Sequence, residues 1–279
     1  MIYLLDILLK NKYNKMENIK DKPKVFYSKE LSSKDLLEIS QLVSKNLSGK
    51  IGIKINTKKN IKEKNINPEF YRPLINYLQG TVIDSNSLLP SEENNFKDFS
   101  KYFNTEILDK NTPDEEIEIL EGKKLKKNYV GQNLKKYDSF IIISNYSNYC
   151  DKNELGMGAL FQLSFELSSK KGKTLLLTGG KTDDCNDIKN NKCDSKIFQE
   201  SSAEAANSIF NYIKKNAIFI NLLPETGILA SVDPVAVDKA CNDLINVADK
   251  ESDYKNKYLI ECCEKLGIGK KDYELIYIN

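Results

Sequence analysis

The chain has no histidine. That absence removes the general base of a Ser-His-acid triad and of Cys-His catalysis. It also removes every imidazole metal ligand. Acid–base chemistry is left to Asp, Glu, Lys, Tyr and Cys. Cysteine is present at Cys150, Cys185, Cys193, Cys241, Cys262 and Cys263, but nowhere in a C-x-x-C spacing. Zinc and iron–sulfur sites usually show tight repeated pairs, and that signal is missing. The thiols therefore read as reduced side chains of a cytoplasmic protein. A strong charge of one sign is lacking as well: 42 basic residues face 40 acidic ones, for a net charge of +2. Dedicated nucleic-acid binders usually carry a clear basic excess, so no nucleic-acid partner is expected. Long apolar runs are absent, and nothing approaches a membrane span. The N-terminal MIYLLDILLKNKYNKMENIK lacks a basic leading segment, is interrupted by Asp6, and shows no small-residue cleavage site, so it does not read as a secretory signal. Residues 1–23 read instead as an N-terminal extension, either a short appended helix or sequence ahead of a start at Met16.

What is present is a regular alternation of strand and helix signals. With 279 residues, 40% hydrophobic and 29% charged, the chain can bury a sizeable core. KVFYS (24–28), IGIKIN (51–56), TVIDS (81–85), IEIL (117–120), FIIIS (140–144), TLLLT (174–178), AIFINLL (217–223), GILAS (227–231) and LIYI (275–278) read as strands. Helices are expected after Ser32, which forms a capping box with Asp35, and from Pro68 to Leu78. More follow at 158–169, 198–214 and 254–266, and after Asp233-Pro234, a helix start with Asp as cap and Pro in the first turn. Residues 86–116 are polar and read as irregular. Strands that are apolar throughout, separated by helices, predict an α/β fold: a mainly parallel sheet with helices on both faces. No repeat or low-complexity linker interrupts 24–279, which reads as one domain. Ligand-binding loops of such sheets lie at the C-terminal strand ends. The pattern therefore places Lys54–Thr57, Asp84–Asn86, Ser144–Cys150 and Thr178–Lys181 along one rim.

Single motifs are weak. Gly179-Gly180-Lys181-Thr182 resembles the end of a phosphate-binding loop, but Leu175 stands where that motif needs its first glycine. A strand-to-loop turn explains it better. Asp233 reads as a helix cap rather than a catalyst, and Cys241 as a small core residue on the stripe Val237, Leu244, Ile245, Ala248. Lys54 is more informative, because a lysine inside an apolar strand is costly unless it is paired, faces a ligand, or reaches water at the strand end.

Several longer segments carry a family resemblance: NPEFYRPLINYLQGTVIDSNS (67–87), KKYDSFIIIS (135–144), TGILASVDPVAVDKACNDLI (226–245) and the terminal EKLGIGKKDYELI. Together they resemble the domain of unknown function 362 family, whose members are often described as uncharacterised Fe–S centre proteins. The likeness runs over about residues 24–279 and is to the short form without a ferredoxin module. In that family the strand matching FIIIS is followed by Ser-His-Phe-Lys-Gly-His and then a glycine-rich run into Gly-Ala-Leu-Lys-Asn. Here Ser144 is kept, the two His positions read Asn145 and Tyr149, the Lys reads Ser147, and the Lys-Asn pair reads Phe161-Gln162. A further family His stands at Leu177, and the Cys-Asp-Cys-Asp segment before GILAS is missing. Polar positions that match the family are Lys54, Thr57, Asn86, Gly172, Lys173, Gly180, Lys181 and Asp233.

The resemblance with those losses implies a metal-free protein, with no cofactor, that binds a small anionic ligand or a protein partner. Its expected ligand residues are Lys54, Thr57, Asn86, Asn145, Lys173 and Lys181. The alternative is a metal- or iron–sulfur-dependent redox enzyme with Cys150, Asp151, Cys185 and Cys193 as substitute ligands.

Overall fold

The computed structural model describes residues 22–56, 66–86, 88, 96–146, 158–224, 226–248 and 256–278. Its strands are β1 (Lys24–Ser28), β2 (Ile51–Ile55), β3 (Thr81–Asp84), β4 (Thr105–Ile107), β5 (Asp114–Glu118), β6 (Lys127–Gly131), β7 (Ser139–Asn145), β8 (Ala217–Leu223), β9 (Gly227–Ser231) and β10 (Glu274–Tyr277). Eight of them form one sheet in the order β10-β1-β9-β8-β7-β2-β3-β4, and β5 and β6 form a separate antiparallel ribbon. Within the large sheet only β9 runs against its neighbours, β1 and β8. The other pairings are parallel, so seven strands end on the same edge.

Both faces of the sheet are covered, because residues along each central strand alternate between two cores. In β7, Phe140 and Ile142 join one core while Ile141 and Ile143 join the other. The thinner layer holds α1 (Ser33–Val43) and α2 (Arg72–Leu78), which contribute Leu36, Ile39, Leu74 and Ile75. A short helix, α3 (Phe96–Phe99), adds Phe99 to the same core. The thicker layer holds α4 (Ala159–Phe161), a π-helical turn at Gln162–Glu166, α5 (Lys170–Thr178), α6 (Ile188–Asn191), α7 (Ser195–Tyr212), α8 (Pro234–Ala248) and α9 (Lys257–Lys265). Two start signals are realised. The Asp35 backbone N–H donates to Ser32 Oγ at 3.1 Å. Asp233 Oδ1 accepts from the N–H groups of Val235 and Ala236, each at 2.9 Å.

The sequence expectations need several corrections, among them the strand read at 117–120, which lies at Asp114–Glu118. TLLLT is not a strand but the second half of α5, a helix buried on most sides. Its C-terminus is closed by Gly179 and Gly180 with φ of +63° and +83°, whose N–H groups donate back to Leu176 and Leu175. The Gly-Gly pair is thus a helix C-cap, which removes both the phosphate-loop and the strand-turn readings. Residues 86–116 contain α3, β4 and most of β5, and β6 carried no signal that was read. The helix expected over 158–169 is instead a single α-turn followed by the π-turn.

Candidate functional site

The connection from β2 to β3 runs through α2 on the thin face, whereas that from β7 to β8 runs through α4–α7 on the thick face. Strands β2 and β7 are neighbours. The chain therefore winds in opposite directions from this pair, so the C-terminal ends of β2 and β7 are the switch point at which open α/β sheets have their crevice. Open α/β sheets bind ligands at such a switch point.

Lys54 stands on β2 beside this crevice, opposite Ile142 of β7 and Ile83 of β3. It is 1% exposed. Its ammonium lies 2.9 Å from Asp84 Oδ1 and 3.8 Å from Glu166 Oε2, and it donates to the Ile55 carbonyl at 3.3 Å. Asp84 ends β3, and Glu166 ends the π-turn, which packs on β7. Lys173, on α5 and 2% exposed, approaches from the helix layer. It donates to Ser85 Oγ at 2.7 Å and to the Asn86 carbonyl at 2.8 Å. Ser85 in turn donates to the Glu166 carbonyl at 2.5 Å. The two lysines thus belong to one connected polar cluster. Asn86 extends it: its N–H donates to Asp109 Oδ1 at 2.7 Å and its side-chain amide to the Asp109 carbonyl at 3.3 Å. Burial pushes the Asp109 carboxyl up, against the pull of the Asn86 N–H and the charge of Lys173.

Two amides stand beside the cluster without hydrogen-bond partners among the described residues. They are Asn145, through Oδ1, and Gln162, through both Oε1 and Nε2. Gln162 is 0% exposed. It begins the π-turn that Glu166 ends. Four residues make close to one turn of such a helix, so Gln162 projects from the side that carries Glu166 to Lys54. π-turns are uncommon and recur at functional sites.

Other expected site residues are placed elsewhere. Lys181 is exposed and lies beyond the C-cap of α5, not at a strand end. Gly172 serves packing: a Cβ there would meet the Tyr129 carbonyl oxygen at 2.5 Å. Cys185 and Cys193 lie on the connection between α5 and α7. Burial pushes the Cys193 thiol up, which disfavours the thiolate a metal needs. Thr57, Cys150 and Asp151 lie outside the described residues. Among the described residues no group of three or more Cys, Asp or Glu side chains is arranged to hold a metal ion, and no helix is long and apolar enough to cross a membrane.

Ser85 fell within the Asp84–Asn86 stretch placed on the rim, whereas sequence reasoning missed Asp109, Gln162 and Glu166 as site residues. A signal for two of them was present. In ALFQLSFELSS, Gln162 and Glu166 are polar residues four apart in an apolar stretch, the spacing that puts both on one helix face.

A second polar network lies one strand further along. Asp238 of α8 accepts from the N–H groups of Ala159 at 2.7 Å and Leu160 at 3.0 Å, and from Asn221 Nδ2 at 2.7 Å. Asn221 is bonded in turn to Ser144 of β7. Burial pushes the Asp238 carboxyl up to about 6, against these donors. A Cβ on Gly158 would meet the same carboxylate at 2.6 Å, so glycine lets α4 close on it. Just past β7, Tyr146, Asn242 and Asn256 form a closed ring of hydrogen bonds.

The fold is that of an α/β protein with a large, mostly parallel sheet and helices around it. No protein-family model matches the chain, and no curated protein matches it. A crystal structure of a Thermotoga maritima protein from a structural genomics programme is similar over 79% of this chain and 60% of its own length, at 15% identity and a TM-score of 0.45. This chain therefore spans less than two thirds of that protein's length.

Proposed function

We propose that this protein, as a divergent member of the domain of unknown function 362 family, binds a small anionic ligand in the β2/β7 crevice without a metal. The observation that carries this reading is the convergence of two buried ammonium groups, Lys54 and Lys173, at the switch point of the sheet. Burying an ammonium is costly and is retained where it is paired or used. The two have different tasks. Lys54 pairs with Asp84, lies within ion-pair reach of Glu166, and so ties β2, β3 and the π-turn together. Lys173 is held by a hydroxyl and a carbonyl and brings a second ammonium to the end of β3. Asn86 and Asn145 supply neutral contacts at the ends of β3 and β7.

Amide chemical-shift mapping with inorganic phosphate and with succinate tests this. Shifts confined to Lys54, Ser85, Asn86, Asn145 and Lys173, and weakened at least several-fold in Lys173→Met, are expected. No shifts, or shifts scattered over surface lysines, would overturn the reading. Failure of both anions together with a single bound protein captured through this same edge would assign the crevice to a protein partner.

A further inference from the structure

We infer that Gln162 reads a neutral donor–acceptor edge on the ligand, so that the anion bound in the crevice also carries an amide, lactam or similar planar group. This rests on the ligand site proposed above. Four observations converge on it. The Gln162 side chain is fully buried. Neither its oxygen nor its nitrogen has a hydrogen-bond partner among the described residues. It lies in a π-turn packed on β7, and the four-residue spacing to Glu166, which reaches Lys54, turns it toward the same side. A buried primary amide left unmatched on both atoms is disfavoured, and native structures satisfy such groups or use them. A primary amide presents an acceptor and a donor side by side. The group that satisfies both at once presents a donor and an acceptor in the same plane, as carboxamides, lactams and nucleobase edges do. Charge alone does not satisfy it: a carboxylate would engage Nε2 but leave Oε1 facing another acceptor. Asn145, with Oδ1 also buried and without a partner among the described residues, asks for a further donor near the end of β7.

Matched pairs of anions give the test: succinamate against monomethyl succinate, and orotate against 1,3-dimethylorotate. Each pair keeps the charge and removes the N–H donors. At 10 mM, the first compound of each pair should raise the melting temperature by roughly 1 °C or more, by linkage of binding to folding, and the second should raise it less. Gln162→Met preserves length and shape and should abolish the difference within each pair. That variant should itself melt about 2 °C higher than the wild type, because it removes an unmatched buried amide. A difference that survives in Gln162→Met, pairs that behave alike in the wild type, or a Gln162→Met protein that melts several degrees lower would each overturn the inference. If phosphate or succinate binds at the crevice but neither pair discriminates, the anion site stands and the role of Gln162 falls. If no anion of either experiment binds there, both fall.

Discussion

Glu166 and Asp238 are both buried carboxylates in the thick helical layer, yet they are treated in opposite ways. Asp238 is saturated: two backbone N–H groups and one amide donate to it, and the result is a fixed start for α4. Glu204 on α7 is held in the same manner, by the N–H groups of Lys123, Lys124 and Leu125. Glu166 instead faces an ammonium at 3.8 Å, and one turn before it stands an amide without partners among the described residues. Backbone donors fix a carboxylate to its own chain and leave nothing to exchange. The rim pair is built from side chains of different elements, with both Gln162 amide atoms and Asn145 Oδ1 unmatched among the described residues. The comparison separates polar groups that build the fold from those poised at its rim.

The largest effect should come from removing the counter-charge at the rim. Lys54→Met leaves Asp84 and Glu166 without the ammonium between them, and breaking a buried pair from one side costs about 3–5 kcal/mol. Urea unfolding should show that loss, with part of it recovered when Glu166→Gln is added. A loss below about 1 kcal/mol would mean that the rim charges are hydrated in solution, where such pairs contribute little, and would erase the contrast with Asp238.

The saturated carboxylate should respond next. Asp238→Asn can turn an NH₂ toward donors, and unmatched buried groups of this kind cost about 1–3 kcal/mol. The pH dependence has a definite sign. Burial raises the Asp238 carboxyl to about 6 in the fold, above the value of about 3.9 for an unfolded chain. The fold therefore favours the protonated form. The contribution is complete below about pH 4 and is lost as pH rises through about 6. The stability difference between the wild type and Asp238→Asn should shrink from pH 4 to 6.5. A difference that is flat with pH would place the titration elsewhere.

Much of the fold, and Lys54, was legible in advance, and what was missed has physical causes. β1, β2, β3, β7, β8 and β9 announced themselves because strands covered on both faces are apolar along their whole length. Asp233 and the Ser32–Asp35 pair announced helix starts because capping is local chemistry. Lys54 stood out because it breaks an apolar strand. Glu166 and Gln162 did not stand out, since their meaning lies in a partner more than a hundred residues away on β2 in one case, and in the absence of a partner in the other. No spacing rule reports either. Gln162→Met should stabilise the protein by about 1 kcal/mol, opposite in sign to the first two substitutions, because an unmatched amide is replaced by an apolar chain of the same length. Destabilisation of that size would move Gln162 to the side of Asp238, as a group that builds the fold.

The smallest expected effect belongs to Lys181, and it tests how a misread element misplaces a residue. Thr174 to Thr178 read as a strand because a helix buried on most sides loses the polar stripe that betrays its period, and a short apolar run cannot then be told from a strand. Reading it as a strand put Lys181 on the rim beside Lys54 and Lys173. As a helix, α5 separates Lys173 from Lys181. It turns Lys173 inward to Ser85 and Asn86, while the Gly179–Gly180 cap carries Lys181 out into solvent. An exposed side chain away from caps and ion pairs contributes within about 0.5 kcal/mol. Lys181→Ala should therefore leave the melting temperature and the anion response unchanged, whereas Lys173→Met, eight positions earlier, should weaken both. Equal losses in the two variants would return α5 to the strand reading and Lys181 to the rim, and would dissolve the cluster from which the ligand site was argued.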